Sequence, residues 1–324
     1  MQALVLVGGK GTRLRPLTTE TPKPILKLVD RPFLSYMIEW LASHGVDEIV
    51  FACGFLPDQL ERVLGNGGGD SPALHYVVEP EPLGTAGAIK FAEEYLNDRF
   101  FALNGDVLTD LDLTALWNSH LENGASASLG LYPVDDPAGY GLVDLDESGR
   151  VLDFHEKPEP GHAGPGLINA GTYVLEKSVL AGVAAGRQVS IEREVFPSLI
   201  GNGLRGMRLD GYWMDIGTPD RYLEASWDIV EGRVRTGAET NPEGMYIGSD
   251  CEIATGAKVG PRAIIGNRSI LDSGSSVSNS VLISDCEVGS GAVVIDSILS
   301  PGVRVKGGVR VEGRVLGKNE VIDA

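Results

Sequence analysis

From residue 245 onward, an aliphatic side chain returns at every sixth position: Ile247, Ile253, Val259, Ile265, Leu271, Val277 and Ile283. The phase then slips and resumes at Val293, Leu299, Val305 and Val311. No other feature of the chain restricts its fold as tightly. Helices repeat apolar residues every three to four positions and half-buried strands every two, so a period of six is neither. It fits short strands that each send one residue inward, joined by corners of small or polar residues such as Gly256, Ala257, Gly274 and Ser275. The expected product is a β-helix over 245–324, serving to cover an edge or to contact another copy.

A different pattern precedes the linker at 237–244, which contains Pro242. In residues 1–236, short aliphatic runs at 3–7, 48–52, 75–78 and 100–103 alternate with helical spacing at 32–44 and 85–96. That alternation implies βαβ units on a mostly parallel sheet. Ligands of such sheets sit beyond the carboxyl ends of the strands, where residues 8–13 and 104–106 fall. Between 125 and 171 the pattern changes again: runs at 142–145 and 151–154 flank Glu147-Ser148-Gly149, the sign of a hairpin. An antiparallel layer of that kind is suited to covering a second substrate.

Charge is unevenly divided. The chain carries 27 basic and 45 acidic residues, net −18, which argues against a nucleic-acid partner. Residues 245–324 hold 9 acids and 8 bases, leaving 36 and 19 in the first 244. Within that acidic part, residues 10–27 carry Lys10, Arg13, Arg15, Lys23 and Lys27 against Glu20 alone. Glycine is also in excess, 43 of 324 against a usual ~7%. The mean hydropathy of +0.01, the absence of a leader or a ~20-residue apolar span, and Cys53, Cys251 and Cys286 without a C-x-x-C pair point to a cytoplasmic protein.

Gly8-Gly9-Lys10-Gly11-Thr12-Arg13 follows the first strand directly. As a dinucleotide fingerprint it fails, because Leu14 stands at the third glycine position; the P-loop pattern is absent as well. What remains is a loop whose backbone N–H groups can form an anion-binding nest. Ten residues beyond Arg13, the prolines of Pro22-Lys23-Pro24 hold a lysine rigidly.

Residues 6–18, followed by Pro22-Lys23-Pro24, resemble the signature of the sugar-1-phosphate nucleotidyltransferases. Further matches follow in family order: Glu81-Pro82-Leu83-Gly84-Thr85-Ala86-Gly87, Asn104-Gly105-Asp106, Tyr140-Gly141, Glu156-Lys157-Pro158, Ile168-Asn169-Ala170-Gly171 and Trp213-Met214-Asp215-Ile216-Gly217-Thr218-Pro219. Several of these, with residues 190–197, resemble the mannose-1-phosphate guanylyltransferase branch in particular. The resemblance spans essentially the whole chain. It implies an α/β fold, a Rossmann-like catalytic domain with a mixed, mostly parallel sheet, followed by a left-handed parallel β-helix of about four coils, three hexapeptides per coil.

The same resemblance implies Mg²⁺-dependent transfer of a nucleotidyl group from an NTP, GTP favoured, to a sugar 1-phosphate, mannose 1-phosphate favoured. Arg13 and Lys23 would be catalytic. Leu6, Gly8, Gly9, Gly11, Thr12, Arg13, Glu79, Gly84, Thr85 and Asn104 would bind the nucleotide. Gly141, Glu156, Lys157, Asn169 and Gly171 would bind the sugar phosphate, and Asp106 and Asp215 the metal. Thymidylyl relatives carry glutamine where this chain has Glu79; a carboxylate only accepts, which suits guanine's N1–H and 2-amino donors, so Glu79 or Glu81 is expected to help select guanine. His155 is expected to be structural.

Other nucleotides and sugars are the nearest alternatives, followed by a non-catalytic regulatory subunit. Hexapeptide β-helices also occur in acetyltransferases that use a histidine base, but His44, His75, His120, His155 and His162 all precede the repeat. A homo-oligomer is expected, with no membrane partner.

Overall fold

The computed structural model describes residues 1–54, 56–156, 164–241 and 243–323. Lys157, Pro158, His162 and Pro242 lie outside them. The chain divides into two compact units, Met1–Gly9 with Met37–Trp213, and Lys10–Tyr36 with Met214–Ala324.

In the first unit, β1 (Gln2–Val7), β2 (Glu48–Cys53), β3 (Ser71–Val78) and β4 (Arg99–Asn104) run parallel in the order β4-β1-β2-β3. The three strands β1, β2 and β4 are nearly continuous aliphatic or aromatic runs, as strands buried on both faces must be. Helix α1 (Phe33–Ser43) matches the expected segment, but α2 (Gly84–Phe91) is shorter than its apolar spacing suggested. Residues Glu93–Tyr95 continue as a 3₁₀ turn.

Register brings the parallel strands to a common end. Leu6 faces Asn104, Val7 faces Cys53, and Cys53 faces Val78. Gly8, Gly54, Glu79 and Gly105 therefore all leave the sheet at one edge.

The antiparallel layer consists of β5 (Ala127–Val134), β6 (Gly141–Leu145), β7 (Val151–Glu156) and β8 (Gly166–Glu176). Strand β8 joins it to β4. The β6–β7 hairpin is closed by Asp146, whose Oδ1 accepts from the amides of Ser148 (2.8 Å) and Arg150 (2.9 Å). Beneath it Tyr173, fully buried, packs edge-on against Phe196 with ring centroids 4.9 Å apart.

In the second unit, the repeat builds the left-handed parallel β-helix, its strands forming three faces of five, five and four strands. The inward columns are Ile247, Ile265, Leu282, Leu299 and Leu316; Ile253, Leu271, Val288, Val305 and Ile322; and Val259, Val277, Val294 and Val311. Two expected positions are thereby corrected. Leu282 and Val294 stand in the columns, not Ile283 and Val293. The slip recurs at every turn from the second coil on, because the corner leading back to the first face is one residue shorter. Every corner passes through a left-handed residue, with Gly256, Gly274, Gly291 and Gly308 forming one such column and Arg262, Asn279, Asp296 and Gly313 another. Left-handed backbone favours glycine, asparagine and aspartate, and six of the chain's 43 glycines stand at these corners.

Cys286 is buried in this interior, and burial pushes its thiol up to about 12. Ser269 lies between it and Cys251 along the stack.

Leu282→Ala, at a fully buried site, is expected to cost roughly 2–5 kcal/mol in denaturant unfolding. Ile247→Ala in the first coil, where the side chain is 49% exposed, should cost under about 1 kcal/mol.

Candidate active site

At the carboxyl edge of the first unit, backbone approaches backbone. A Cβ on Gly54 would lie 2.9 Å from the Gly8 carbonyl, and one on Gly105 would lie 2.7 Å from the Leu6 carbonyl. The Gly105 amide donates to that same Leu6 oxygen at 2.9 Å. The turn carrying Asn104 and Asp106 is thus pinned onto the end of β1, just before Gly8. Side chains larger than hydrogen would separate them. Gly9 has open space above its Cα.

Glu79 stands beside this loop, its Oε1 3.4 Å from where a Gly8 Cβ would be. Its other oxygen accepts from the Leu83 amide at 3.0 Å. Burial pushes the Glu79 carboxyl above its ordinary value, with the Leu83 hydrogen bond only partly opposing. Gly84 and Gly87 seat α2 against the chain at 187–189: Cβ atoms there would come within 2.7 Å of the Val189 carbonyl and 2.6 Å of the Arg187 carbonyl. The Thr85 hydroxyl donates to Glu192 Oε2 and accepts from the Ile191 amide, both at 2.8 Å. It locks α2 to the segment that begins at Ser190.

A β-bulge shapes the second group of predicted residues. The pairing of β8 with β5 shifts between Asn169 and Thr172, so Ala170 and Gly171 are displaced from the ladder. Gly171, in the left-handed region at φ 67°, lies against the Asn104 side chain. Asn169 Oδ1 accepts from the Gly171 amide (3.0 Å), and its Nδ2 donates to the Tyr173 hydroxyl (2.8 Å). Across β6 and β7, Gly141 pairs with Glu156; a Cβ on Gly141 would lie 2.9 Å from Glu156 Oε2 and 3.5 Å from Asn169 Cβ. Gly141, Glu156 and Asn169 therefore converge, and Asn104 meets them through Gly171.

Trp213 borders this group, donating from Nε1 to the Ala170 carbonyl at 2.9 Å. It stacks on Tyr132 and meets Tyr140 edge-on, giving an aromatic wall of the kind that receives a sugar face. His155 points to the other side of β7, 3.3 Å from Asp153 and 3.9 Å from Asp144.

The second unit carries the cationic loop. Gly11 is left-handed at φ 58° and precedes a 3₁₀ turn over Thr12–Leu14. Its carbonyl accepts from the Thr18 hydroxyl at 2.7 Å. A Cβ on Gly11 would be 3.1 Å from Thr18 Cγ2 and 3.2 Å from Lys23 Cβ. This close packing fixes the loop against the Pro22-Lys23-Pro24 segment. Lys23 is 8% exposed, and its stem shares an apolar recess with Leu14, Leu26, Ile216 and Tyr222.

Three cations gather around Asp215: Lys23 Nζ at 3.8 Å, Arg221 Nη1 at 3.9 Å and Arg13 Nη2 at 4.0 Å. Gly217 makes room for Arg13, because a Cβ there would sit 2.6 Å from Nη2. Helix α3 (Pro219–Val230), capped by Thr218, carries Arg221. Neither Arg221 nor Gly54 was among the predicted site residues. Arg221 reads in sequence as one polar residue of an amphipathic helix, and only the turn at Gly217 directs it to Asp215.

Among the described residues, no three His, Cys, Asp or Glu side chains form a metal cage. A cation held by one or two carboxylates, with water and substrate oxygens, is the habit of Mg²⁺ and not of structural zinc.

The chain combines an α/β unit whose parallel strands end in glycine turns with a second unit that carries a cationic loop and a parallel β-helix. Residues 2–232 match the family model described as nucleotidyl transferase, and 242–324 match the GMPPB C-terminal domain. The chain belongs to the nucleotidyl transferase family and is a nucleotidyltransferase. It is 36% identical to a mannose-1-phosphate guanylyltransferase of Mycobacterium tuberculosis, over 96% of this chain and 83% of that one. It is 30% identical to a UTP--glucose-1-phosphate uridylyltransferase of Synechocystis, over 92% and 87%. The crystal structure of HddC from Yersinia pseudotuberculosis complexed with GMP-PN aligns with a TM-score of 0.60 and 31% identity, covering 70% of this chain and 99% of that one.

A raised carboxyl pKa in the folded state means that stability falls as pH climbs from the ordinary 4.5 through the raised value. Glu79→Gln is therefore expected to raise the melting temperature at pH 7 and to leave it unchanged near pH 4, measured by calorimetry.

Proposed function

We propose that the protein transfers a nucleotidyl group from an NTP to a sugar 1-phosphate and releases pyrophosphate, with GTP and mannose 1-phosphate the favoured pair. The observation that carries this reading is the gathering of Arg13, Lys23 and Arg221 around Asp215, in a chain of net charge −18. A cluster of cations within so acidic a chain suits a triphosphate.

The nucleophile is a phosphate oxygen whose second pKa is about 6, so it is ionised at neutral pH and needs no general base. The protein's task is to bring two polyanions together for in-line attack at the α-phosphorus and to stabilise the leaving pyrophosphate. In this reading the backbone of residues 8–12 and Arg13 cradle the triphosphate. Lys23, its stem held in an apolar recess, presents its ammonium to the reacting phosphates. Leu6, Gly84, Asn104 and the backbone of Thr85, whose hydroxyl is taken by Glu192 and Ile191, bind the nucleoside. Gly141, Glu156, Asn169 and Gly171 bind the sugar hydroxyls beside the Trp213 wall, and Lys157 grips the sugar phosphate.

Asp106 and Asp215 are the carboxylates assigned to Mg²⁺, which would neutralise charge on the phosphate oxygens. Glu79 is assigned to guanine, accepting from N1–H and the 2-amino group. The guanylyltransferase similarity and the GMP-PN carried by HddC support that base. A cytoplasmic homo-oligomer fits the absence, among the described residues, of any helix long and apolar enough to cross a membrane, and the apolar first coil around Ile247 and Ile253.

Pyrophosphate release from a matrix of NTPs and sugar 1-phosphates with Mg²⁺ should be greatest for GTP with mannose 1-phosphate, and no turnover with any pair would overturn the reading. Lys23→Ala should lower kcat by about 10²-fold or more for the best pair. Glu79→Gln should shift the GTP-to-dTTP preference toward dTTP, and an unchanged ratio would remove Glu79 from base selection.

A further inference from the structure

Past Arg13, the cationic loop runs along one corner of the β-helix within the second unit. That corner passes through Asp250, Arg268, Asp285, Gly302 and Asn319, one residue per coil, each left-handed. At the last coil, a Cβ on Gly317 would touch Pro16 Cβ at 3.5 Å, and Lys318 Nζ lies 3.3 Å from Glu20 Oε2. Toward the first coil, half-buried Lys27 lies in the field of Cys251, Arg268 and Asp285. Arg268 is itself fixed to Asp285 by Nε–Oδ1 and Nη2–Oδ2 contacts of 2.7 and 2.8 Å.

The dimensions agree. Arg268 to Asn319 spans three coil steps, about 14 Å at the strand spacing. Residues 20–27 reach at most about 25 Å when extended. Lys23 stands midway along this stretch in sequence, three residues beyond the Glu20 contact with Lys318.

We propose that this corner of the β-helix is a positioning surface for the reaction, with Gly317 and Lys318 as positioning residues that set where Lys23 stands. The inference rests on the assignment of Lys23 to the reacting phosphates. It gives the repeat a part in catalysis beyond covering an edge or contacting another copy. The Lys318–Glu20 pair is exposed, so its energetic share is small; it fixes the register of a segment that Gly317 already seats.

Lys318→Glu sets like charges against each other at Glu20. The KM for GTP is expected to rise about three- to fivefold, with the KM for mannose 1-phosphate within about twofold of the parent. Combining it with Glu20→Lys restores the parent KM. Lys306→Glu makes the same charge change at a different corner and should alter neither constant. Amide exchange over residues 10–27 of the full chain reads the same seating without any substrate: faster in Lys318→Glu, restored in the swapped pair. An unchanged GTP KM with unchanged exchange, or a swap that restores neither, would overturn the inference. So would both KM values and the melting temperature moving together, which is the mark of general destabilisation. Failure of the parent enzyme to turn over any substrate pair would count against the proposed function alone, because the exchange measurement still decides the seating.

Discussion

One carboxylate keeps the cationic loop together. Arg13, Lys23 and Arg221 would repel one another if brought into one place without a counter-charge, and Asp215 lies within 4.0 Å of each. The side-chain ion pairs are longer than a direct hydrogen bond, and Arg221 is held in addition by its Nη1, which donates to the Asp215 carbonyl at 3.4 Å. The surrounding structure serves this cluster. Gly217 leaves room for the Arg13 guanidinium, the Thr218 cap starts the helix that delivers Arg221, and Gly11 with Thr18 presses the glycine loop onto Lys23.

The first unit solves a different problem, the convergence of backbone. Four parallel strands end in register, and glycines at 8, 54 and 105 let the chain segments leaving them lie nearly in contact. The bulge at Ala170-Gly171 then turns the Asn169 side chain toward Gly141 and Glu156. Neither device depends on charge. Together they give the first unit a shaped surface with hydrogen-bond acceptors and an aromatic wall.

Much of this was legible in the residues. The period of six named the β-helix, because only short strands joined by tight corners place an aliphatic residue inward at that spacing. Aliphatic runs ending in glycine located the parallel strands and the edge at which they end. The excess of positive charge between residues 10 and 27 marked the cationic loop that gathers at Asp215. The exact columns were less legible: Ile283 and Leu282 are both aliphatic and both buried, and only the pairing across coils tells which one faces the interior. The end of α2 was unclear for a similar reason, since the apolar spacing continues past Phe91 into a 3₁₀ turn.

By itself, then, the sequence determined the two kinds of architecture, the place of the loop and the residue types available for phosphate and sugar. The tertiary structure alone decided that Arg221 joins Arg13 and Lys23 at Asp215, that the Thr85 hydroxyl is committed to Glu192, and that Pro16 and Glu20 meet Gly317 and Lys318 of the β-helix. The physical reason is the range of each signal. Periodicity and turn chemistry act over a few neighbouring residues and leave a trace in the local sequence. Contacts between residues as distant as Glu20 and Lys318 depend on how whole elements pack, and no local pattern records them.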